Sequence, residues 1–247
     1  GELISHGVAS DLAEAAALAL RAGIDIDMAS DAYPKGLRQA LERGLVTIEQ
    51  IDVAVRRVLL LKAKLGLFDD PHRTFSAPLN TTAHRERARD AAVRSIVLLQ
   101  NRDQLLPLRS VPAKLAMIGP FAAASEHMLG PWAAMGRFEG VVDFVTGLQA
   151  ALPNCQIVHT AGGAVENVTL SDIEEAVSLT NEADLTVLCL GEAPYMCGEA
   201  GSRVDPGIPQ SQRQLAEAVF ATGKPVIVTL TCGRPLVAPW LFDIAGT

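Results

Sequence analysis

The chain has 247 residues, 49 % hydrophobic and 4 % aromatic, with a net charge of −7. So much apolar material can build a sizeable core of Ala, Val, Leu and Ile and argues against disorder. The acidic balance, with no basic stripe, argues against a nucleic-acid partner.

Cys155, Cys189, Cys197 and Cys232 are widely spaced and form no CxxC pair. A zinc site is therefore not expected, and neither is any other metal or cofactor. No signal-peptide, membrane-spanning or targeting pattern is visible, and no membrane partner is expected. The chain does not begin with Met, and it reads as cut at both ends.

Residues 1–10 are polar and irregular. Asp11, with Glu14 three positions on, reads as the N-cap of a helix that runs to Gly23. Ile24–Met28 (IDIDM) alternates like a short strand. A helix is expected over about Lys35–Arg43, stopped by Gly44, and another after Thr47, with Glu49 and Gln50 close behind the cap. Ile51, Val55, Val58, Leu59 and Leu65 recur there at helical spacing. One strand cannot make a sheet, so Ile24–Met28 either joins the second half of this chain or belongs to a sheet whose other strands are missing, a first sign of something larger. The apolar faces carrying Leu59, Leu60 and Leu61 then need a cover. Residues 67–82, with two prolines and no periodicity, read as a linker.

Residues 83–247 alternate more cleanly. An amphipathic helix is expected over His84–Gln100, then a strand Lys114–Ile118 and a helix Asp143–Leu152. A strand Gln156–Thr160 precedes a helix Ser171–Glu182, with Ser171 as cap and Glu174 closing a capping box. A buried strand Leu185–Leu190, a helix Ser211–Thr222 and a strand Pro225–Thr231 follow. Strands of continuous apolar character alternating with helices imply a parallel sheet covered on both faces. Its strand ends would share one edge with GPWAAMG (130–136), AGGAVEN (161–167), the loop 191–205 and CGRPL (232–236).

That loop, GEAPYMCGEAGSRVD, is the segment richest in chemistry. Ligands of α/β domains settle outside the carboxyl ends of parallel strands. A glutamate there can act as a general acid if an apolar wall raises its pKa. Gly198 and Gly201 would let the loop bend Glu199 into a cleft, and Ser202, Arg203 and Asp205 could anchor its base. Equally, Glu199 could simply pair with Arg203 on the surface. No GxGxxG follows a strand and no GxxxxGK[ST] or GxSxG occurs, so phosphate-cradle and serine-hydrolase readings lack support. The five histidines are scattered, and neither His84, at a helix start, nor His159, near a strand end, reads as a ligand or base.

Taken together, the segments resemble glycoside hydrolase family 3, in its periplasmic β-glucosidase branch. They are ELISHGVASDLAEAAALALRAGIDIDM, GLVTIEQIDVAVRRVLLLKAKLGLFDDP, RDAAVRSIVLLQN with LLPL, IGP, LGPWAAMG, the loop above, IPQSQRQL and ATGKPVIVTLTCGRPL. They stand in family order along nearly the whole chain.

The resemblance implies an α/β architecture: the end of a TIM-type (β/α)8 barrel over 1–66, the linker 67–82, and an α/β sandwich domain with a mostly parallel sheet over 83–247. It implies an exo-acting retaining β-glucosidase with the active site between barrel and sandwich. Glu199, in MCGEAGSR, matches the general acid/base. The nucleophile, a barrel Asp, has no match in this sequence. Glu192 becomes a structural partner of the loop, with Arg203 and Asp205. Trp132 matches a position near the leaving-group subsite, and Ser30 and Tyr33 follow the last barrel strand, where TIM-type sites gather. The expected partners are a β-glucoside or β-linked oligosaccharide and the remainder of the barrel, on this or another chain. The implied location is periplasmic or secreted. A non-catalytic carbohydrate-binding or regulatory module of the same fold, and a nucleotide-binding α/β domain, are the alternatives.

Overall fold

The computed structural model describes residues 1–72 and 81–244. The chain forms two compact units, Gly1–Ser95 and Ile96–Thr247. Of the expected linker 67–82, residues 73–80 lie outside the described residues, as do the last three residues of the expected sandwich domain.

The first unit is helical: α1 Glu2–Ser5, α2 Leu12–Arg21, α3 Ala32–Glu42, α4 Ile48–Lys64 and α5 Thr82–Ser95. Asp11 caps α2 as expected, its Oδ1 accepting from the Glu14 amide at 2.8 Å. Thr47 and Gln50 close a capping box on α4. The core is small, with Ala13, Ala17, Leu20, Ala40, Val46 and Ala54 packed against Tyr33, Leu37, Leu45 and Ile51. Such small residues let α2 and α3 come close together. A Cβ on Gly36 of α3 would lie 2.3 Å from the Leu12 carbonyl oxygen.

Three expectations fail in this unit. Ile24–Met28 is irregular rather than a strand. An alternating pattern becomes a strand only with a ladder partner, and among the described residues every strand belongs to the second unit. α3 begins at Ala32, not Lys35, because Pro34 lies in the first turn, where its missing N–H needs no partner. α5 stops at Ser95, and the run from Ile96 to Leu99 is exposed and without regular structure. The β-branched pair Ile96–Val97 is a poor continuation for a helix.

The second unit is a four-stranded parallel sheet with helices on both faces. Its elements are β1 Lys114–Ile118, α6 Phe144–Ala151, β2 Gln156–Thr160, α7 Leu170–Glu182, β3 Leu185–Gly191, α8 Gln210–Phe220, β4 Val226–Thr231 and α9 Pro239–Ile244. The order is β2-β1-β3-β4, every neighbouring pair parallel. β3 is buried at every residue, as its continuous apolar run predicts. Alternate side chains serve opposite layers. Leu115, Met117, Val187 and Cys189 pack with Phe121 and with Val145 of α6. Ala116, Ile118, Leu188 and Leu190 pack with Ala176 of α7 and with Leu215 and Val219 of α8.

The α7 cap differs from expectation. Thr169 caps the helix, and Asp172 completes the box, in place of Ser171 and Glu174. An aspartate at the third position can reach back to the cap amide just as Glu or Gln does.

Candidate active site

The order β2-β1-β3-β4 reverses direction between β1 and β3. Such a switch point opens a crevice at the carboxyl ends of the strands, and the loops after all four strands meet there. Gly191 ends β3 with φ +146°, and a Cβ on it would lie 1.8 Å from the Thr231 carbonyl oxygen. Only glycine allows β3 and β4 to close so tightly at this edge. The next residue, Glu192, donates its amide to the same Thr231 carbonyl at 2.8 Å.

Glu192 is 3 % exposed. A carboxylate so deep needs partners, and it has one arginine on each oxygen. Arg203 Nη1 donates to Oε1 at 2.5 Å and Arg234 Nε to Oε2 at 3.2 Å. Arg234 also sends Nη2 to the carbonyls of Met196 and Gly201, the latter at 2.7 Å. Buried Gln212 joins the preceding loop to the strand end: its Oε1 accepts from the Gly191 amide, and its Nε2 donates to the carbonyls of Gly191 and Val165.

Glu199 stands on the tip of this construction. Gly198 at φ +89° and Ala200 at φ +60° put two left-handed residues around it, and the Gly201 amide closes the turn on the Gly198 carbonyl at 3.1 Å. The side chain is exposed, and among the described residues no hydrogen bond or ion pair occupies its carboxylate. The surface pairing of Glu199 with Arg203 does not occur, because Arg203 is spent on Glu192.

Trp132 is brought to the same place. It is 69 % exposed, and a Cβ on Gly198 would lie 3.8 Å from its Cε2 and 2.7 Å from Pro131. Tyr195 is a second exposed ring on this loop, held by donation from its hydroxyl to Glu166 Oε2 at 3.0 Å. Among the described residues Asp205 takes no arginine; its Oδ1 accepts from the Gly207 amide at 2.8 Å, which turns the chain toward α8.

Ser30 and Tyr33 lie in the first unit, where their polar atoms serve a local turn. The Ser30 hydroxyl donates to Asp27 Oδ1, the Tyr33 amide donates to Oδ2 at 3.1 Å, and the Tyr33 hydroxyl donates to the Ile24 carbonyl. The Ser30 hydroxyl, then the Tyr33 amide, hold the Asp27 carboxyl below its ordinary value of 3.8. Burial first, then the Asp27 and Asp25 charges, push the Tyr33 phenol up.

Sequence patterns did not single out Arg234 and Gln212. The available signal was position: an arginine three residues past the end of β4, and a glutamine in the first turn of α8, both at the edge that receives the β3 loop. Among the described residues no cluster of His, Cys, Asp and Glu could hold a metal ion.

Comparison with known proteins is consistent with this geometry. Residues 96–246 match the model of the glycosyl hydrolase family 3 C-terminal domain. The chain is 38 % identical to a periplasmic beta-glucosidase of Salmonella typhimurium over 95 % of its own length and 34 % of the relative's. It is 34 % identical to a beta-xylosidase of Formosa agariphila, over 94 % of this chain and 34 % of that one. A beta-glucosidase from Listeria innocua, solved alone and with glucose, superposes with a TM-score of 0.88 at 36 % identity, covering 99 % of this chain and 34 % of that one. The chain thus spans about a third of the length of the relatives it matches. With that domain matched over residues that contain the whole parallel sheet and its loop edge, the chain belongs to glycosyl hydrolase family 3.

Proposed function

We propose that this chain supplies the acid/base half of an exo-acting retaining β-glucosidase, with Glu199 as the proton donor. The observation that carries the reading is the presentation of Glu199: exposed, unpaired among the described residues, and on a turn whose base is locked by a buried carboxylate and two arginines. In a retaining glycosidase two carboxyl groups stand about 5–5.5 Å apart across the anomeric carbon. One attacks while the other protonates the leaving oxygen and later takes a proton from water. Glu199 fills the second role. The nucleophile is contributed by a barrel Asp outside this sequence, and residues 1–66 form the closing part of that barrel. The exposed Val55, Leu59, Leu60 and Leu61 of α4 are the apolar surface that the remaining barrel elements, on the same or another chain, would cover.

Trp132 offers a ring face to the leaving group, and terminal β-D-glucosyl residues are the substrate. The named activities of the Salmonella and Listeria relatives support glucose, and the Formosa relative makes β-xylosides the comparison substrate. The Salmonella relative's name also supports a periplasmic or secreted location.

The test is Glu199→Gln in an enzyme that includes the barrel. For an alkyl β-glucoside, whose leaving group needs a proton, kcat/KM should fall by about 10²–10⁴-fold. For a dinitrophenyl β-glucoside it should change little, and azide should restore turnover as the β-glucosyl azide. Unchanged hydrolysis of the alkyl glucoside would remove Glu199 from the role.

A further inference from the structure

We propose that Arg234 is the positioning residue of the acid/base turn, a role that rests on the assignment of Glu199 above. Its guanidinium joins three points. Nε holds Glu192, which is fixed to the end of β3 and β4 through the Thr231 carbonyl. Nη2 holds the carbonyls of Met196 and Gly201, which lie on either side of Glu199. One planar group therefore clamps both ends of the turn 196–201 to the rigid sheet edge. A guanidinium suits this because its donors diverge from one plane at fixed angles, whereas an ammonium is a single rotating point charge.

The turn needs such a clamp. Its backbone includes a non-glycine residue, Ala200, at φ +60°, a conformation that persists only when the surroundings enforce it. Among the described residues the Glu199 side chain makes no bond of its own that would fix it. The backbone on either side thus sets where its Cα–Cβ bond points and how far its carboxyl can reach. Arg203 does not duplicate the role, since its guanidinium bonds Glu192 from the opposite oxygen. Loss of Arg234 would still leave Glu192 with a charged partner, so the turn should loosen before the fold does.

The experiment compares Arg234→Lys and Arg234→Met in the barrel-containing enzyme. Lysine keeps the charge beside Glu192 but cannot span both carbonyls. For an alkyl β-glucoside, kcat/KM should fall by about 10²-fold in both variants, the cost of misplacing a reacting group by around an ångström. For a dinitrophenyl β-glucoside, which needs no proton, the fall should be less than about tenfold. Hydrogen exchange of a peptide spanning 196–201 should accelerate, while that of β3 stays unchanged.

Equal losses on both substrates, or exchange at 196–201 no faster than in the parent, would overturn the proposal. So would failure of the lysine variant to fold, because the guanidinium would then hold the fold and not the turn; if only the methionine variant fails to fold, the lysine variant decides. Should Glu199→Gln lack a leaving-group effect while exchange at 196–201 still rises in Arg234→Lys, the acid/base assignment fails and the clamp stands.

Discussion

Glu192 and Glu199 belong to one loop and have opposite surroundings. Glu192 is enclosed with an arginine on each oxygen, so both its oxygens are committed to structure. Glu199 is solvent-facing with its carboxylate unoccupied among the described residues. Cysteine chemistry separates in the same way. Cys189, enclosed in β3, has its thiol pushed up to about 11 by burial. Cys232 is exposed at the end of β4, although burial first and the Glu192 charge second still raise its thiol. Because the thiolate is the reacting form, iodoacetamide at pH 8 should label Cys232 and spare Cys189 in the folded chain. Peptide mass spectrometry reads the order; labelling of Cys189 at a comparable rate would contradict the enclosed strand.

Among the elements, α7 gives the sharpest test of local sequence logic. Thr169→Ala removes the cap and should destabilise the second unit by about 1 kcal/mol in urea unfolding. The same cap sets a pH response. The Thr169 hydroxyl, then its amide, hold the Asp172 carboxyl below its ordinary 3.8. A hydrogen bond from Lys114, then its charge, hold Glu182 below 4.5. Lowered folded-state values mean that the unfolded chain binds protons more readily in acid. The contribution is therefore complete above the ordinary carboxylate values and fades as pH falls through the lowered ones. The urea midpoint should be flat near neutrality and drop below about pH 4, and Thr169→Ala should make that drop shallower. An equally steep acid response in the variant would dissociate Asp172 from the cap.

For the second unit as a whole, stability depends on how closely the strands approach at the functional edge. Gly191→Ala places a methyl group against the Thr231 carbonyl at a φ that L-residues avoid, and should cost about 3 kcal/mol or more. The loss, read by urea unfolding, should come with faster hydrogen exchange in β4. A neutral substitution would mean that β3 and β4 can separate there without penalty.

The strands of the second unit were legible because β1, β3 and β4 are short, mainly apolar runs and β2 carries the β-branched pair Ile157–Val158 between turn residues. Lys114–Ile118 and Gln156–Thr160 coincide with expectation, and parallel pairing follows from their alternation with helices. Such local patterns report burial, which a residue's own chemistry dictates. Ile24–Met28 shows the limit: alternation cannot supply the neighbouring strand that would make it one.

The carboxylate-rich loop after β3 was equally visible, and so was the family to which it points. The partners of its carboxylates were not. Glu199 and Arg203 are close in sequence and do not pair, whereas Glu192 finds Arg234 across the β3–β4 edge. The four strands of the sheet domain, their parallel character and the loop that carries the chemistry were thus readable from periodicity and composition, whereas the helix Pro239–Ile244 was not among the expected elements. The supporting role of Glu192 came from the resemblance; its burial and its pairing with both Arg203 and Arg234 came only with the tertiary structure, because ion pairing depends on which strand ends the fold brings side by side.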